Sequence, residues 1–259
     1  MEIGIYCSSI RPHLWVDLYK TLSTNNANFN LCISGPYPPI STLPGNVKYI
    51  QTNVKPPQCN FIAANNTEGD YIFNVPDDIT LNPGCLDNLL KTVRSEKNVI
   101  TTPKYKGRES QYQLVTELAC TRADNTAQFI PINFPIPVCT LMRRKDFDSI
   151  GIDKSFLATF WDQDMSFEFV SRGGKCILSE NSFIKDIQGP ETSTLGILAL
   201  NNEDYFWRFV DMWTDNRKTL RTKRKVPIDP LVYNDTVLTV SQGPKTLTVS
   251  RGIPLPNWD

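Results

Sequence analysis

Apolar residues recur along this chain at two spacings, and the change from one to the other marks out its elements. Ile3 to Cys7 reads as a first strand. The polar stretch Ser8-Ser9-Ile10-Arg11-Pro12 follows, then Leu14, Leu18 and Leu22 at helical spacing, with Pro12 in the first turn. Phe29 to Ser34 reads as a second strand, ended by Gly35-Pro36-Tyr37-Pro38-Pro39, and Val47 to Ile50 as a third. Phe61 to Thr67 reads as a short helix. Tyr71, Ile72, Phe73 and Val75 then form another buried strand, closed at Pro76, which has no N–H for a neighbouring ladder. Asp77 and Asp78 stand where the chain leaves that strand. Beyond them Asn82 is placed to cap a helix with Pro83 in its first turn, and Leu86, Leu89, Leu90 and Val93 form its apolar stripe.

The second half is less regular. Asn98 to Thr102 reads as a strand, while Gln111 to Cys120 suits either strand or helix. Prolines at 131, 135 and 137 exclude a regular central element between Phe129 and Val138. Thr159 to Arg172 predicts a helix closed by Gly173-Gly174, followed by a strand at Lys175 to Leu178 and a further edge at Ser182 to Asp186. Tyr205 to Trp213 has the spacing of an amphipathic helix, Arg217 to Lys225 is a basic run, and Thr236 to Val240 and Thr246 to Val249 are short strand-like pieces. Strand, helix and strand in succession argue for an α/β fold with a mostly parallel sheet. We expect one domain over residues 1–215 and a C-terminal extension over 216–259 packed on it.

Composition narrows the function classes. With 27 basic and 27 acidic residues in 259, no global field favours nucleic acid or an anionic membrane. No apolar run approaches a spanning helix, and the N-terminus lacks a basic region and long apolar core, so the expected location is cytoplasmic. The seven cysteines are scattered singly, without a C-x-x-C pair, and read as small buried thiols. His13 is the only histidine, so no Ser-His-Asp or Cys-His arrangement is built around a better-placed imidazole.

The chemistry-bearing residues are therefore acids. Gly69-Asp70-Tyr71-Ile72, the acidic loop, then Pro83-Gly84 and Leu86 resemble the G-D-Y-I, D-x-D and P-G-x-L sequence of family 2 glycosyltransferases, whose nucleotide-sugar fold is the A type (GT-A). Ser8, Ser9 and Arg11 resemble that family's opening loop. Arg143-Arg144 with Phe147, Gly151 and Asp153 resembles its R-R-x-x-F segment, and Trp161-Asp162-Gln163-Asp164-Met165 with Gly173 resembles its E-D-x-D-L segment. The resemblance covers roughly residues 1–200 in order of elements.

It implies a GT-A sheet flanked by helices on both faces, a nucleotide-diphosphate sugar donor and a glycan or other hydroxyl acceptor. It maps the metal-holding acid of D-x-D onto Asp78 and the family's metal-ligating histidine onto Asp186, with Mn2+ or Mg2+ as the hard cation that carboxylates suit. Asp162 maps onto the general base of an inverting transfer, and Ser8, Arg11, Asp77, Trp161 and Asp164 onto substrate contacts. Two departures stand out. Pro76 occupies the place of the first acid of D-x-D, and Gly35-Pro36 the place of the nucleotide-contacting acid after the second strand.

Other readings of the same residues remain open. Asp77-Asp78 also suits a polar turn, and Thr159-x-x-Asp162 has the spacing of a capping box. Asp164, two residues beyond Asp162, falls on a different part of the helix and suits a solvated or supporting role. A sugar nucleotidyltransferase would need a glycine-rich first loop, which Ser8 to Pro12 is not. A non-catalytic carbohydrate-binding relative of a transferase fits the missing acid.

Overall fold

The first strand, β1 (Ile3–Ser8), shows how the layers arise. The computed structural model describes residues 1–105, 117–121, 127–131, 139–154, 161–187, 237–242 and 245–250. Ile3, Ile5 and Cys7 of β1 join the main apolar cluster on one face of the sheet. On the other face Tyr6 meets Phe147 with ring centroids 5.7 Å apart, and a side chain at Gly4 would press on Thr67 and Arg144. Two covered faces are why the strand is a predominantly apolar stretch.

A 3-10 turn at Pro12–Leu14 leads into helix α1 (Trp15–Leu22). Strand β2 (Phe29–Gly35) and strand β3 (Val47–Gln51) follow. Helix α2 spans Pro56–Ala64, earlier than the expected Phe61 to Thr67. The cause is Pro56-Pro57: a fixed φ and a missing N–H favour the first helical turn, and Lys55 before them is extended. Strand β4 (Tyr71–Asn74) is followed by a three-residue strand, β5 (Ile79–Leu81), that no periodicity signalled. Helix α3 spans Cys85–Ser95 and buries Leu86, Leu89, Leu90 and Val93. Its N-cap is Gly84 at φ 74°, not Asn82, so Pro83 lies outside the helix in a turn closed by Cys85 N–H on the Asn82 carbonyl at 3.0 Å.

Strand β6 (Val99–Tyr105) precedes a separate hairpin of β7 (Glu117–Thr121) and β8 (Ala127–Pro131), which ends at a proline. Strand β9 (Leu141–Arg143) runs into helix α4 (Arg144–Ile150), and helix α5 spans Trp161–Ser171. The two expected edges at 175–178 and 182–186 are one strand, β10 (Lys175–Asp186), broken by a bulge between Leu178 and Phe183. The expected elements at 205–213 and 217–225 lie outside the described residues.

The main sheet runs β3-β2-β1-β4-β9-β6-β10-β5. Its β3-β2-β1-β4 half is parallel, and β9 is antiparallel to both its neighbours. Strands β11 (Val237–Gln242) and β12 (Lys245–Ser250) extend it, β11 pairing antiparallel with β3. Helices α1 and α3 pack on the face of Ile3 and Ile5, α4 on that of Tyr6. No helix among the described residues is long and apolar enough to cross a membrane.

The core makes a quantitative test. Leu89→Ala should lower unfolding free energy by about 2–5 kcal/mol, since a buried leucine leaves a cavity that its neighbours only partly fill. A shift of the urea midpoint with an unchanged slope checks it.

Candidate active site

The acids sit where parallel strands β1 and β4 end, the edge at which open α/β sheets take ligands. After Asn74 the chain leaves the ladder with Val75 N–H still bonded to the Tyr6 carbonyl at 3.1 Å. Pro76 ends the pairing, and Asp77 and Asp78 turn toward the loop that follows β1.

Asp77 is 2 % exposed, yet every side-chain oxygen is engaged. Ser9 Oγ donates to its Oδ2 at 2.6 Å, and Arg11 Nε donates to its Oδ1 at 3.0 Å. Arg11 Nη2 also pairs with Oδ1 of Asp77, and it reaches Asp78 Oδ2 at 2.8 Å. Ser9 is fixed in turn, accepting from Trp15 Nε1 at 2.6 Å and from the Arg11 N–H at 3.1 Å. Burial works against the Arg11 charge, but the two carboxylates hold its pKa above the ordinary value. Asp78 is 27 % exposed at its side chain. Burial, with the neighbouring Asp77, pushes its carboxyl above the ordinary range despite Arg11.

A cleft of about 470 Å³ opens on this cluster. Ser8, Arg11, Asp77 and Asp78 line it, and Trp161 and Asp162, at the start of α5, line it too. Asn53, Lys55 and Asn60 border the remainder, and the Asn60 Oδ1 has no partner among the described residues. An acid in the first turn of α5 is favoured by the helix dipole, so Asp162 keeps its structural reason beside any chemical one. Cys7 lies near the end of β1, and burial first, then Asp77 and Asp78, raises its thiol well above the ordinary value.

Six of the eight residues singled out from the sequence thus meet at one cleft. Asp164 does not: it is 0 % exposed and not among the cleft residues, so of the solvated and supporting roles expected for it the solvated one is corrected. Asp186 is described by backbone alone, which pairs with Ile79, and the next N–H, of Ile187, bonds the Asp78 carbonyl at 2.7 Å. His13 is exposed on the 3-10 turn, away from the cleft. Sequence reading did not single out Trp15, whose indole N–H holds Ser9. It also missed why Gly35 stands at the end of β2: a side chain there would collide with the Ser9 carbonyl oxygen. Among the described residues no group of three or more His, Cys, Asp or Glu is arranged to hold a metal ion.

This strand order, with an acidic loop at its carboxyl edge, is the GT-A fold of nucleotide-sugar transferases. Among solved structures the chain is similar to GalNAc-T7 with UDP, GalNAc and Mn2+ (TM-score 0.59, 11% identity, 82% of this chain and 48% of that one). It is likewise similar to S. aureus TarS 1-349 (0.53, 14%, covering 77% and 64%) and to TarS in complex with UDP-GlcNAc (0.52, 15%, covering 75% and 61%). The chain thus spans less than two-thirds of the solved chains it matches. No family model matches the sequence, and a search of curated proteins finds no match.

Two stability measurements follow. Asp77→Ala leaves the Arg11 charge without its main partner and should cost about 3–5 kcal/mol in urea unfolding. Asp78 has the opposite sign. Its folded pKa is raised, so its stabilisation is complete below the unfolded value of about 3.9 and is lost as pH rises through the folded value. Asp78→Asn, neutral throughout, should be at least as stable as the parent at neutral pH in metal-free buffer. Its advantage should shrink as urea midpoints are followed down to about pH 3.

Proposed function

We propose that the protein is a family 2-like glycosyltransferase that moves a sugar from a nucleotide diphosphate to an acceptor hydroxyl with inversion. The observation that carries the reading is that one cleft, on a GT-A fold, is lined by Arg11, Asp77, Asp78 and Asp162 together. Neighbours of the same fold solved with UDP, UDP-GlcNAc or Mn2+ support a uridine diphosphate sugar as the first donor class to test.

In this reaction the acceptor oxygen bonds to the anomeric carbon as the bond from that carbon to the diphosphate oxygen breaks, and the electron pair leaves with the diphosphate. Asp162 takes the hydroxyl proton as general base. Trp161, which lines the cleft, is the proposed aromatic contact to a sugar ring. Arg11 and Lys55 supply positive charge beside the phosphates.

The donor set suits a divalent cation at one residue. Asp78 has a partly exposed carboxylate, raised in pKa and opposed by a single guanidinium, and a hard cation is commonly held by one or two carboxylates together with substrate phosphates. Asp186, whose backbone is paired beside Asp78, is the proposed second ligand. Asp77 does not suit a cation, because Ser9 and Arg11 already use both its oxygens. When bound, Mn2+ or Mg2+ would neutralise charge on the leaving diphosphate.

Release of nucleoside diphosphate from a panel of nucleotide sugars, with and without Mn2+, tests the proposal. The wild type should show acceptor-stimulated release; Asp162→Ala should lower kcat by about 10²–10⁴-fold with little change in donor KM. Asp78→Ala should remove the Mn2+-stimulated part. Equal background release from all three proteins would leave a non-catalytic sugar-binding descendant as the better reading.

A further inference from the structure

Asp77 and Asp78 are adjacent in the chain, yet their surroundings differ. Asp77 accepts from three donors of Ser9 and Arg11, one on Oδ2 and two on Oδ1, so both its oxygens are engaged. Arg11 is the link between the two acids: Nε and Nη2 address Asp77, and Nη2 also addresses Asp78 Oδ2. Its Nη1 makes no hydrogen bond among the described residues, although Arg11 lines the cleft. The three charges sum to −1, so a carboxylate pair that would attract any cation already has a resident one.

We propose that Arg11 is a built-in counter-ion that competes with the divalent metal for Asp78, and that Asp77 is a positioning residue that keeps Arg11 at the donor diphosphate. This rests on the nucleotide-sugar reading of the cleft. A metal ion arriving alone must share Asp78 with a guanidinium held 2.8 Å from its Oδ2, and like charges at such range repel. A diphosphate removes the conflict, because its oxygens take the free guanidinium edge while the metal takes Asp78. Metal and nucleotide therefore bind cooperatively, and by linkage each raises the affinity of the other by the same factor. Pro76 fits this scheme. The chain lacks the first acid of the usual motif, and Arg11, anchored on the middle position, adds the positive charge that a second metal-holding carboxylate would otherwise help recruit.

The test measures binding apart from turnover. Free Mn2+ is followed by its paramagnetic resonance signal, and UDP, GDP and TDP binding by calorimetry, each with and without the other. For the wild type, Mn2+ alone should bind weakly and at least tenfold more tightly with the nucleotide that the protein accepts. Arg11→Gln should bind Mn2+ alone about tenfold more tightly than wild type but the nucleotide in chelator at least tenfold more weakly. Arg11→Lys, which keeps the charge, should leave Mn2+ affinity near the wild-type value. Asp77→Asn keeps Arg11 beside Asp78 but loosens its anchor, so Mn2+ alone should bind no more tightly while nucleotide affinity falls; it serves where Arg11→Gln fails to fold. Unchanged or weaker Mn2+ binding by folded Arg11→Gln, or wild-type nucleotide affinity in Asp77→Asn, overturns the inference and leaves the transferase reading standing. Absence of any nucleoside diphosphate binding by the wild type overturns both.

Discussion

A carboxylate that is almost wholly withdrawn from water must be supplied with donors, and Asp77 imposes that demand on the first third of the chain. Left without partners, a buried charge of this kind costs several kcal/mol. Its donors come from Ser9 and Arg11, so the loop after β1 must fold back over the end of β2 to deliver them. That path brings the Ser9 backbone so close to β2 that only glycine fits at position 35. It also sets Trp15 at the start of α1, where the indole N–H reaches Ser9 while the ring packs on Tyr49 at 5.1 Å. One buried charge thus fixes a loop, a helix start and a glycine.

Much of this plan could be read from the residues alone, for identifiable reasons. Strands β1, β2 and β4 are largely covered on both faces and so appear as predominantly apolar stretches, and α3 shows its stripe because its outer face is polar. The elements that escaped are those whose signal is local and ambiguous. Pro56-Pro57 both breaks chains and starts helices, and β5 has three residues, too few for any period. The site was legible as a set of residue types at the ends of strands. Its wiring was not, because Arg11 and Asp77 are 66 positions apart and nothing in either neighbourhood names the other.

The departures from the family pattern also acquire physical reasons. Gly35-Pro36, where an acid is usual, reads in the sequence as a loss; in three dimensions the glycine is what admits the Ser9 loop. Asp162 comes to the same cleft by a different route, through the antiparallel β9, which inserts between β4 and β6 and starts α4 on the opposite face of the sheet from α1. The residues that line the cleft are therefore delivered by separate parts of the fold.

Residues Pro76 to Asp78 bridge two anchored points. Before them Val75 is bonded to β1, and after them β5 is paired with β10, with the Asp78 carbonyl itself bonded to Ile187. A segment this short, tied at both ends and braced in the middle, has no slack. It can exchange one side chain for another, as Pro76 illustrates, but it cannot absorb an added or deleted residue without tearing β5 from the sheet or Asp77 from its donors. Descendants of this chain are free to vary the chemistry of the loop and are held to its length.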